Sequence, residues 1–230
     1  MHITIILMNI VPKEKKKKPE LKLFYDKDLI EVGIDEAGRG CLSGRVYVGA
    51  VILPKEIEGD MYKQIKDSKK LSKKKRHILR TYIERVALAY SVAYAEPEEV
   101  DDLNILEATL QTMHTALDGL TIEPEQLLVD GNRFHNYIST KGNFIPHELI
   151  KGGDNLYYSI AAASILAKVY HDEYVETLCE QDPSLHEKYN WLNNMGYGTK
   201  AHMNGIKEYG ITKYHRKSFK PCQQIHKTRI

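Results

Sequence analysis

The chain has 230 residues, of which 42% are hydrophobic and 28% charged, a composition typical of a globular protein with one sizeable core. Its formal net charge of +2 neither requires nor excludes a nucleic-acid partner, so the distribution of charge has to decide. The three cysteines, Cys41, Cys179 and Cys222, show no zinc-binding spacing. Their odd number argues against a disulfide framework and favours reduced thiols.

The chain begins with a short apolar run, Ile3 to Met8, which is followed by a lysine cluster at Lys13 and Lys15–Lys18. The run is too short to span a bilayer and lacks the basic region and cleavage site of a secretory signal. We therefore expect a cytoplasmic protein with a flexible basic extension over residues 1–20. Its lysines would add at most a weak attraction for phosphates.

Two apolar runs, Leu29–Ile34 and Arg45–Leu53, predict a pair of strands joined by a glycine-rich connection. The connection contains Asp35 and Glu36, followed by the Gly38-Arg39-Gly40 turn. Neighbouring residues of a regular strand face opposite sides of a sheet, so both acids reach one site only if the strand breaks at this turn. Taken alone, the acidic pair is most simply the start of a solvated turn, because unpaired carboxylates are rarely buried.

The next segment, Ser68–Lys70, precedes a predicted helix for which Ser72 fits the N-cap position. Its lysines are equally well explained as a solvated helix start and as a phosphate-contacting patch. Further along, Ala87–Glu96 predicts a third strand. Glu98–Leu120 predicts a single helix whose apolar stripe packs on the core.

A second carboxylate position follows the apolar run Gln126–Asn132. This run predicts a buried strand that delivers Asp130 at its C-terminal end, where open α/β sheets commonly place active sites. The alanine-rich run Ser159–Val169 predicts a helix that can pack closely on a sheet. Asp154 precedes it and is most simply an N-terminal cap.

Four acids, Asp35, Glu36, Asp130 and Asp154, thus lie near glycines at predicted strand or helix ends. If they converge at one sheet edge, they repel each other unless cations lie between them. Oxygen ligands without nitrogen or sulfur suit Mg²⁺ or Mn²⁺, and two such ions about 4 Å apart can promote phosphoryl displacement. Asp172 is excluded, because a continuous helix places it about 27 Å from Asp154.

A series of motifs, in chain order over about residues 28–220, resembles that of the type 2 ribonucleases H (ribonuclease HII). The motifs are Asp35–Gly40, Asp67–Leu71, Val129–Asn132, Ser159–Val169, Tyr197–Thr199 with His202, and His215–Phe219. The resemblance implies an α/β ribonuclease H-like fold, in which helices flank a central mixed β-sheet and a C-terminal helical extension follows. We expect a ribonuclease H-like catalytic domain over residues 21–176 and a C-terminal helical subdomain over residues 177–230.

The resemblance also implies an activity. Members of this family hydrolyse the RNA strand of RNA–DNA hybrids and cut at ribonucleotides embedded in duplex DNA, leaving 5′-phosphate and 3′-hydroxyl ends. The expected cofactor is Mn²⁺ or Mg²⁺ in a two-metal-ion mechanism. The expected partner is the hybrid or the ribonucleotide-containing duplex, bound by a monomer without any membrane association.

Residue roles are carried over position by position. The family's catalytic and metal-binding acids match Asp35, Glu36, Asp130 and Asp154. The Gly38-Arg39-Gly40 turn would read the ribose 2′-OH, and Tyr197 would read the junction between RNA and DNA. Further substrate contacts fall on Ser68, Lys69, Lys70, Asn132, Ser164 and Lys168.

Three positions depart from the family pattern: Arg45 replaces a proline, Gly152 a lysine and His171 an arginine. Two alternatives stay open on the same fold. A non-catalytic hybrid-binding module would require the loss of a carboxylate, and all four are present. A DNA-cutting nuclease is disfavoured by the Gly-Arg-Gly turn and Tyr197, because DNA offers no 2′-OH to read.

We expect deletion of residues 1–20 to leave the melting temperature unchanged, because the segment has no periodic apolar pattern. Binding of an RNA–DNA hybrid should weaken slightly, and only at low salt, because lysine–phosphate attraction is screened. Thermal melting and hybrid titration at two salt concentrations test this. A large loss of stability would show that the segment packs on the domain.

Overall fold

The structure, a computed structural model, describes residues 20–223. The basic extension expected over residues 1–20 therefore lies outside the described residues except for Glu20, and residues 224–230 lie outside as well. Within the described range, no helix is long and apolar enough to cross a membrane.

Residues 20–223 contain seven strands and seven α-helices. The strands are β1 (Glu31–Ala37), β2 (Val46–Ile52), β3 (Ala89–Ala95), β4 (Gln126–Asp130), β5 (Tyr137–Ile138), β6 (Phe144–Ile145) and β7 (His147–Ile150). The helices are α1 (Lys73–Val86), α2 (Pro97–Leu103), α3 (Ile105–Asp118), α4 (Tyr158–Gln181), α5 (Ser184–Tyr189), α6 (Trp191–Asn194) and α7 (Lys200–Tyr209). Short 3₁₀ turns cover Tyr62–Gln64, Ser68–Lys70 and Gly153–Asn155.

The central sheet has five strands in the order β3-β2-β1-β4-β7, and β5 pairs with β6 in a separate ribbon. Strand β1 is antiparallel to β2 and parallel to β4, and β7 is parallel to β4. The C-terminal ends of β1, β4 and β7 therefore lie at one edge of the sheet. This topology confirms the predicted α/β fold with a mixed sheet and the predicted pairing of the first two strands.

Helices cover both faces of the sheet, because alternate residues of a strand point to opposite sides. Val32 and Ile34 of β1 pack in a core that includes Leu110 and Met113 of α3. The other face of the sheet packs against α1 and α4 in a second core. Burial on both faces explains why β1 and β2 read as almost continuous apolar runs.

Helix α4 meets the sheet where β1 and β2 carry glycines. A Cβ atom at Gly33 would lie 2.2 Å from the carbonyl carbon of Ser159, and one at Gly49 would lie 2.5 Å from the carbonyl oxygen of Ala163. Only glycine leaves room for the helix backbone at these points. The predicted close packing of the alanine-rich helix on the sheet is confirmed.

The C-terminal helices build a separate cluster of buried residues around Tyr189, Trp191 and Ile206, against which Leu178 of α4 packs. The predicted C-terminal helical extension is confirmed. Helix α4 is longer than the sequence indicated and ends at Gln181. The expected boundary between residues 176 and 177 thus falls inside a continuous helix, and the two-part division stays a prediction.

The single helix predicted over Glu98–Leu120 is wrong. Two helices, α2 and α3, occupy this segment and are separated by Asn104, whose φ is 70°. The Asn104 side chain accepts hydrogen bonds from the backbone N–H groups of Leu106 and Glu107 and so caps α3. The apolar spacing missed the break, because Leu103, Leu106 and Leu110 keep helical spacing across Asn104.

We expect Gly49→Ala to destabilise the protein by about 3 kcal/mol or more, because the new methyl group overlaps the α4 backbone. The matched control is Gly40→Ala, whose Cβ would lie 3.6 Å from its nearest neighbour, Cε1 of Tyr197, an ordinary contact. Chemical denaturation measures both variants. Equal stabilities of the two variants would contradict the close approach of α4.

Candidate active site

Four acidic side chains lie where β1, β4 and β7 end. Asp35 and Glu36 are in β1, and Asp130 is the last residue of β4. Asp154 lies in the 3₁₀ turn between β7 and α4. It is not the cap of α4, because that position belongs to Tyr157. We call Asp35, Glu36, Asp130 and Asp154 the acidic cluster.

The two acids of β1 lie near the end of the strand, where it is still paired with β2. Strand β1 extends to Ala37, and Gly38 then turns the chain with a φ of 88°. The Asp35 carboxylate accepts a hydrogen bond from the backbone N–H of Glu36 at 2.7 Å. The Glu36 carboxylate accepts one from Nη1 of Arg39 at 3.1 Å. The strand is therefore longer than predicted, but it breaks at the predicted turn.

Burial and the negative charges of neighbouring acids raise the pKa values of three members of the acidic cluster. Burial raises the pKa of Asp35 well above its usual value, and the charges of Glu36 and Asp130 raise it further. Burial also raises the pKa values of Glu36 and Asp154, and the charge of Asp130 adds to both shifts. Asp130 thus interacts with all three other members, which places it at the electrostatic centre of the cluster.

Asp130 and Asp154 are also held by local contacts. Asp130 accepts a hydrogen bond from the backbone N–H of Gly153 at 2.7 Å, which ties the end of β4 to the turn that carries Asp154. Asp154 forms a carboxyl–carboxylate pair with Asp67, which raises the pKa of Asp154 in addition to the effect of burial. Burial opposes ionisation of Asp67, but the backbone N–H of Lys69 and the Lys70 ammonium outweigh it and lower its pKa.

The acidic cluster fits a divalent cation by its chemistry. Within residues 20–223, no three histidine, cysteine or acidic side chains already form a compact metal-binding group. The donor set is nevertheless made of carboxylate oxygens alone, which suits Mg²⁺ or Mn²⁺. Burial is the main cause of the raised pKa values of Asp35, Glu36 and Asp154, and the charge of Asp130 adds to each; a bound cation would relieve this added repulsion.

Two buried serines support Asp35 from α4 and from the turn before α1. The hydroxyl of Ser164 donates to the Asp35 carboxylate, which lowers its pKa against the effect of burial. The hydroxyl of Ser68 lies 2.9 Å from that of Ser164. Because Ser164 donates to Asp35, Ser68 is the donor in this second bond. The structure thus places Ser68 and Ser164 behind the carboxylate, and their substrate contacts stay a prediction.

The Gly38-Arg39-Gly40 turn packs against Tyr197. A Cβ at Gly38 would lie 2.6 Å from Cδ2 of His171, and the φ of 88° also requires glycine there. Gly40 faces the Tyr197 ring, and Cys41 forms an antiparallel bridge with Tyr197. Tyr197 remains partly exposed, with 37% of its surface accessible. The turn and the tyrosine, predicted from separate motifs, therefore form one surface.

Arg216 holds this turn from below. Its guanidinium is fully buried and donates to the carbonyl oxygens of Gly44 at 3.0 Å, Arg39 at 3.0 Å and Cys41 at 2.9 Å. Burial lowers the pKa of this guanidinium. The contacts fix three carbonyl groups of the β1–β2 connection with one rigid side chain.

Tyr197 is anchored through its backbone. The ring of His202 donates from Nδ1 to the Tyr197 carbonyl at 3.0 Å, so that Nε2 accepts from the indole of Trp191 at 3.1 Å. His215 lies 3.1 Å from the same nitrogen. Burial lowers the pKa of His202 and lowers that of His215 to about 3, so burial favours the neutral form of both rings.

The sequence matches a known protein family over most of its length. The family model for ribonuclease HII matches residues 32–222. Ribonuclease HII of Bacteroides thetaiotaomicron is 50% identical over 196 residues, which cover 85% of this chain and 92% of that protein. The chain belongs to the ribonuclease HII family. The resemblance inferred from the motifs is confirmed.

Solved structures agree on the fold. Ribonuclease H2 from Pyrococcus horikoshii OT3 has a TM-score of 0.69 at 22% identity, covering 86% of this chain and 97% of that one. Bst-RNase HIII in complex with Mn²⁺ has a TM-score of 0.59 at 18% identity, covering 86% of this chain and 69% of that one. At these identities the likeness confirms the fold alone.

Two departures from the ribonuclease HII pattern have structural reasons. Arg45 bonds Glu96 from Nε at 2.9 Å and stacks 3.8 Å above the Tyr94 ring, so it stabilises the sheet surface rather than the acidic cluster. Gly152 has a φ of 66°, and a Cβ there would meet nothing within 4 Å. The glycine therefore serves the left-handed turn before Asp154.

The third departure, His171, lies buried beneath the Gly-Arg-Gly turn. Its Nδ1 lies 3.1 Å from Asp172, and its Nε2 lies 3.5 Å from Sγ of Cys41. Asp172 also accepts from Nζ of Lys168 at 2.6 Å and from Nη2 of Arg76 at 3.1 Å. Lys168 thus forms an ion pair with Asp172. The partners of Asp172 are Lys168, Arg76 and His171. A substrate contact by Lys168 stays a prediction.

The other predicted substrate contacts lie on the surface. Lys69 and Lys70 are exposed at the 3₁₀ turn, and Lys70 bonds Asp67 and Asn155. Asn132 is exposed in the turn after β4. The ribonuclease HII motifs contain two further residues, Asp67 and Arg216, to which the sequence assigned no role. Each is a charged residue inside a family motif, and for Asp67 the neighbouring Ser68, Lys69 and Lys70 had already been assigned.

We expect Asp35→Asn to raise stability at neutral pH while removing a proposed metal ligand. An acid whose pKa is raised by folding binds its proton more tightly in the folded state. Its contribution to stability therefore falls as pH rises from the usual value of 3.8 to the folded pKa, and stays low above it. Asparagine avoids this loss. We expect a gain in stability of about 1 kcal/mol, which corresponds to a rise in melting temperature of about 2–4 °C.

Thermal melting between pH 4 and pH 8 measures this effect, with Asp28→Asn, an exposed acid, as the matched control. The gain of Asp35→Asn should shrink toward pH 4, whereas the control should show no trend. A lower melting temperature for Asp35→Asn at neutral pH would mean that this carboxylate is stabilised rather than strained.

Proposed function

We propose that this ribonuclease HII hydrolyses the RNA strand of RNA–DNA hybrids and cuts at ribonucleotides embedded in duplex DNA, with 5′-phosphate and 3′-hydroxyl products. The observation that carries the proposal is the acidic cluster beside the surface formed by the Gly-Arg-Gly turn and Tyr197. The acidic cluster can hold divalent cations, and the surface of the turn and Tyr197 can contact a sugar of the substrate. A protein that only binds hybrids has no use for buried, mutually repelling carboxylates.

The residues that would hold Mg²⁺ or Mn²⁺ are Asp35, Glu36, Asp130 and Asp154. Bound ions would activate the attacking water and stabilise the leaving 3′-oxygen of an in-line displacement. The chain's own contribution is to keep these oxygens in place. Ser164 orients Asp35, and the Gly153 N–H orients Asp130. The Mn²⁺ in the Bst-RNase HIII structure supports a divalent ion without deciding which one this chain prefers.

Recognition of RNA would rest on the Gly-Arg-Gly turn. The 2′-OH is a donor and an acceptor that DNA lacks, and glycines let backbone groups approach it closely. Arg216 immobilises the carbonyls of Arg39 and Cys41, so the turn is ordered before substrate arrives. The partly exposed Tyr197 ring would lie against the adjacent deoxyribose and disfavour an added hydroxyl.

The exposed Lys69 and Lys70 would contact phosphates next to the cut. Lys69 also acts electrostatically on Glu36, which places its ammonium near the acidic cluster. We further propose a monomeric, cytoplasmic enzyme whose catalytic part spans residues 21–176. The C-terminal helices from residue 177 would serve mainly to carry Tyr197 and Arg216.

We expect Asp130→Asn to lower cleavage of an embedded ribonucleotide by more than about a hundredfold, because a lost ligand removes transition-state stabilisation. Hybrid binding should persist or tighten, because one negative charge is removed near the phosphates. Asparagine can still accept the Gly153 N–H, so the fold should be retained. Mn²⁺ should raise the melting temperature of the parent chain, and this rise should be smaller in the variant.

The matched control for this experiment is Asp28→Asn, which should cleave like the parent chain. Cleavage by Asp130→Asn within about tenfold of the parent would rule out the metal-ligand role. An all-DNA duplex is tested in parallel, and equal cleavage of it by the parent chain would favour a DNA-cutting nuclease instead.

We expect Tyr197→Ala to lose about tenfold to a hundredfold of its activity on a single embedded ribonucleotide, by analogy with base–aromatic stacking worth about 1–3 kcal/mol. The loss on a long RNA strand paired with DNA should be much smaller, because that substrate has no nearby deoxyribose to test. Tyr209→Ala removes another exposed tyrosine and serves as control. Equal losses on both substrates would mean that Tyr197 only packs the C-terminal helices.

A further inference from the structure

A groove opens beside Asp154. Its first part is a cavity of about 490 Å³, lined by Lys63, Lys66, Lys70 and Asp154 among others. A second cavity of about 420 Å³ shares Tyr158 with the first and adds Lys22. We call these joined cavities the lysine groove, defined by Lys22, Lys63, Lys66 and Lys70.

Lysines outnumber acids in the lysine groove, whose lining contains the four lysines together with Glu20 and Asp154. Lys70 is fixed between Asp67 and Asn155 at the end next to the acidic cluster. Lys63 pairs with the exposed Asp60 at 2.7 Å, a contact that water and salt weaken. Lys66 is exposed and makes no ion pair or hydrogen bond among residues 20–223. Its ammonium is therefore available to an incoming anion.

The floor of the groove is apolar and partly aromatic. Tyr62 and Tyr158 meet edge to face, with 5.3 Å between their ring centroids. Leu21 lines both cavities. Lysines along a channel with an apolar aromatic floor are typical of proteins that follow a nucleic-acid backbone, because ammonium groups meet phosphates while rings meet sugars or bases.

Continuity with the acidic cluster identifies the occupant. Asp154 belongs to both the cluster and the groove, and Lys70 lies beside both. A strand whose cleaved phosphate lies at the cluster therefore passes the mouth of the groove within a nucleotide or so. A negatively charged polymer fits this arrangement, because successive phosphates can meet successive lysines.

We propose that the lysine groove binds the phosphodiester backbone of one strand of the substrate duplex, on one side of the cleaved bond. This inference rests on the proposed function and extends the substrate contact surface beyond the residues that the family motifs indicate. The groove supplies affinity without sequence preference, because phosphates are the same in every sequence. It takes no part in the chemical step.

The test is the double variant Lys63→Ala/Lys66→Ala in the full chain. Both side chains are exposed, so folding should be unaffected. KM for a duplex that extends well beyond the cut on both sides should rise about tenfold, while kcat stays within about twofold. The slope of log affinity against log salt should become shallower by about 2, or about 1 for each lysine removed.

The matched control is Lys207→Ala/Lys213→Ala, which removes two exposed lysines of the C-terminal part and the same total charge. It should leave KM and the salt slope close to those of the parent. If both double variants weaken binding equally, only the overall charge matters and the groove is not a site. An unchanged KM in Lys63→Ala/Lys66→Ala also overturns the proposal.

Uncharged methylphosphonates, placed one at a time along each strand, locate the contact. In the parent chain, neutralising one or two phosphates on one side of the cut should weaken binding several-fold. In Lys63→Ala/Lys66→Ala the same replacements should have little further effect. Sensitive positions on either strand support the proposal. Their location identifies the strand that the groove binds. If the parent and the double variant respond alike at every position, the proposal is contradicted.

Binding is measured in the Asp130→Asn background, so that the result does not depend on turnover. Failure of the proposed function would appear as an absence of cleavage by the parent chain. Failure of the groove proposal would appear as duplex binding that Lys63→Ala/Lys66→Ala leaves unchanged, while the parent chain cleaves normally. The two outcomes are thus separable.

Discussion

Repulsion between buried carboxylates is the constraint on which this structure depends. Asp35 is almost fully buried beside Glu36 and Asp130, and burial and charge together raise its pKa. Such an arrangement costs stability, which natural proteins accept mainly at functional sites. The surrounding structure opposes the repulsion with neutral donors, such as Ser164 and the Gly153 N–H, and leaves the negative charge for a cation.

The position of the acids follows from how α4 lies on the sheet. Gly33 and Gly49 let the helix backbone touch the sheet backbone, so that Ser164 comes within reach of Asp35. The same helix begins just after the turn that carries Asp154 and continues to Asp172, which anchors Lys168 and Arg76. One close-packed helix thus supports both the acidic cluster and the layer beneath the Gly-Arg-Gly turn.

The C-terminal helices contribute to the site without contributing an acid. Arg216 fixes the carbonyls of the Gly-Arg-Gly turn, and His202 fixes the backbone of Tyr197. Both groups are buried, so they are set before any substrate binds. Division of the chain at residue 176 therefore separates the acids from the residues that hold the proposed sugar-reading surface, although α4 is continuous across this point.

The sequence by itself determined the strands β1, β2 and β4, the Ser72 cap, the breaking turn at Gly38 and the four acids, because apolar spacing, glycine and short polar motifs act over a few residues. It missed the cap at Asn104, which interrupts a stripe without changing its composition. Only the tertiary structure decided that Asp154 pairs with Asp67, that Arg216 bonds a carbonyl 172 positions away, and that four lysines share a groove. These contacts join distant parts of the chain, and no local spacing encodes the distances between them.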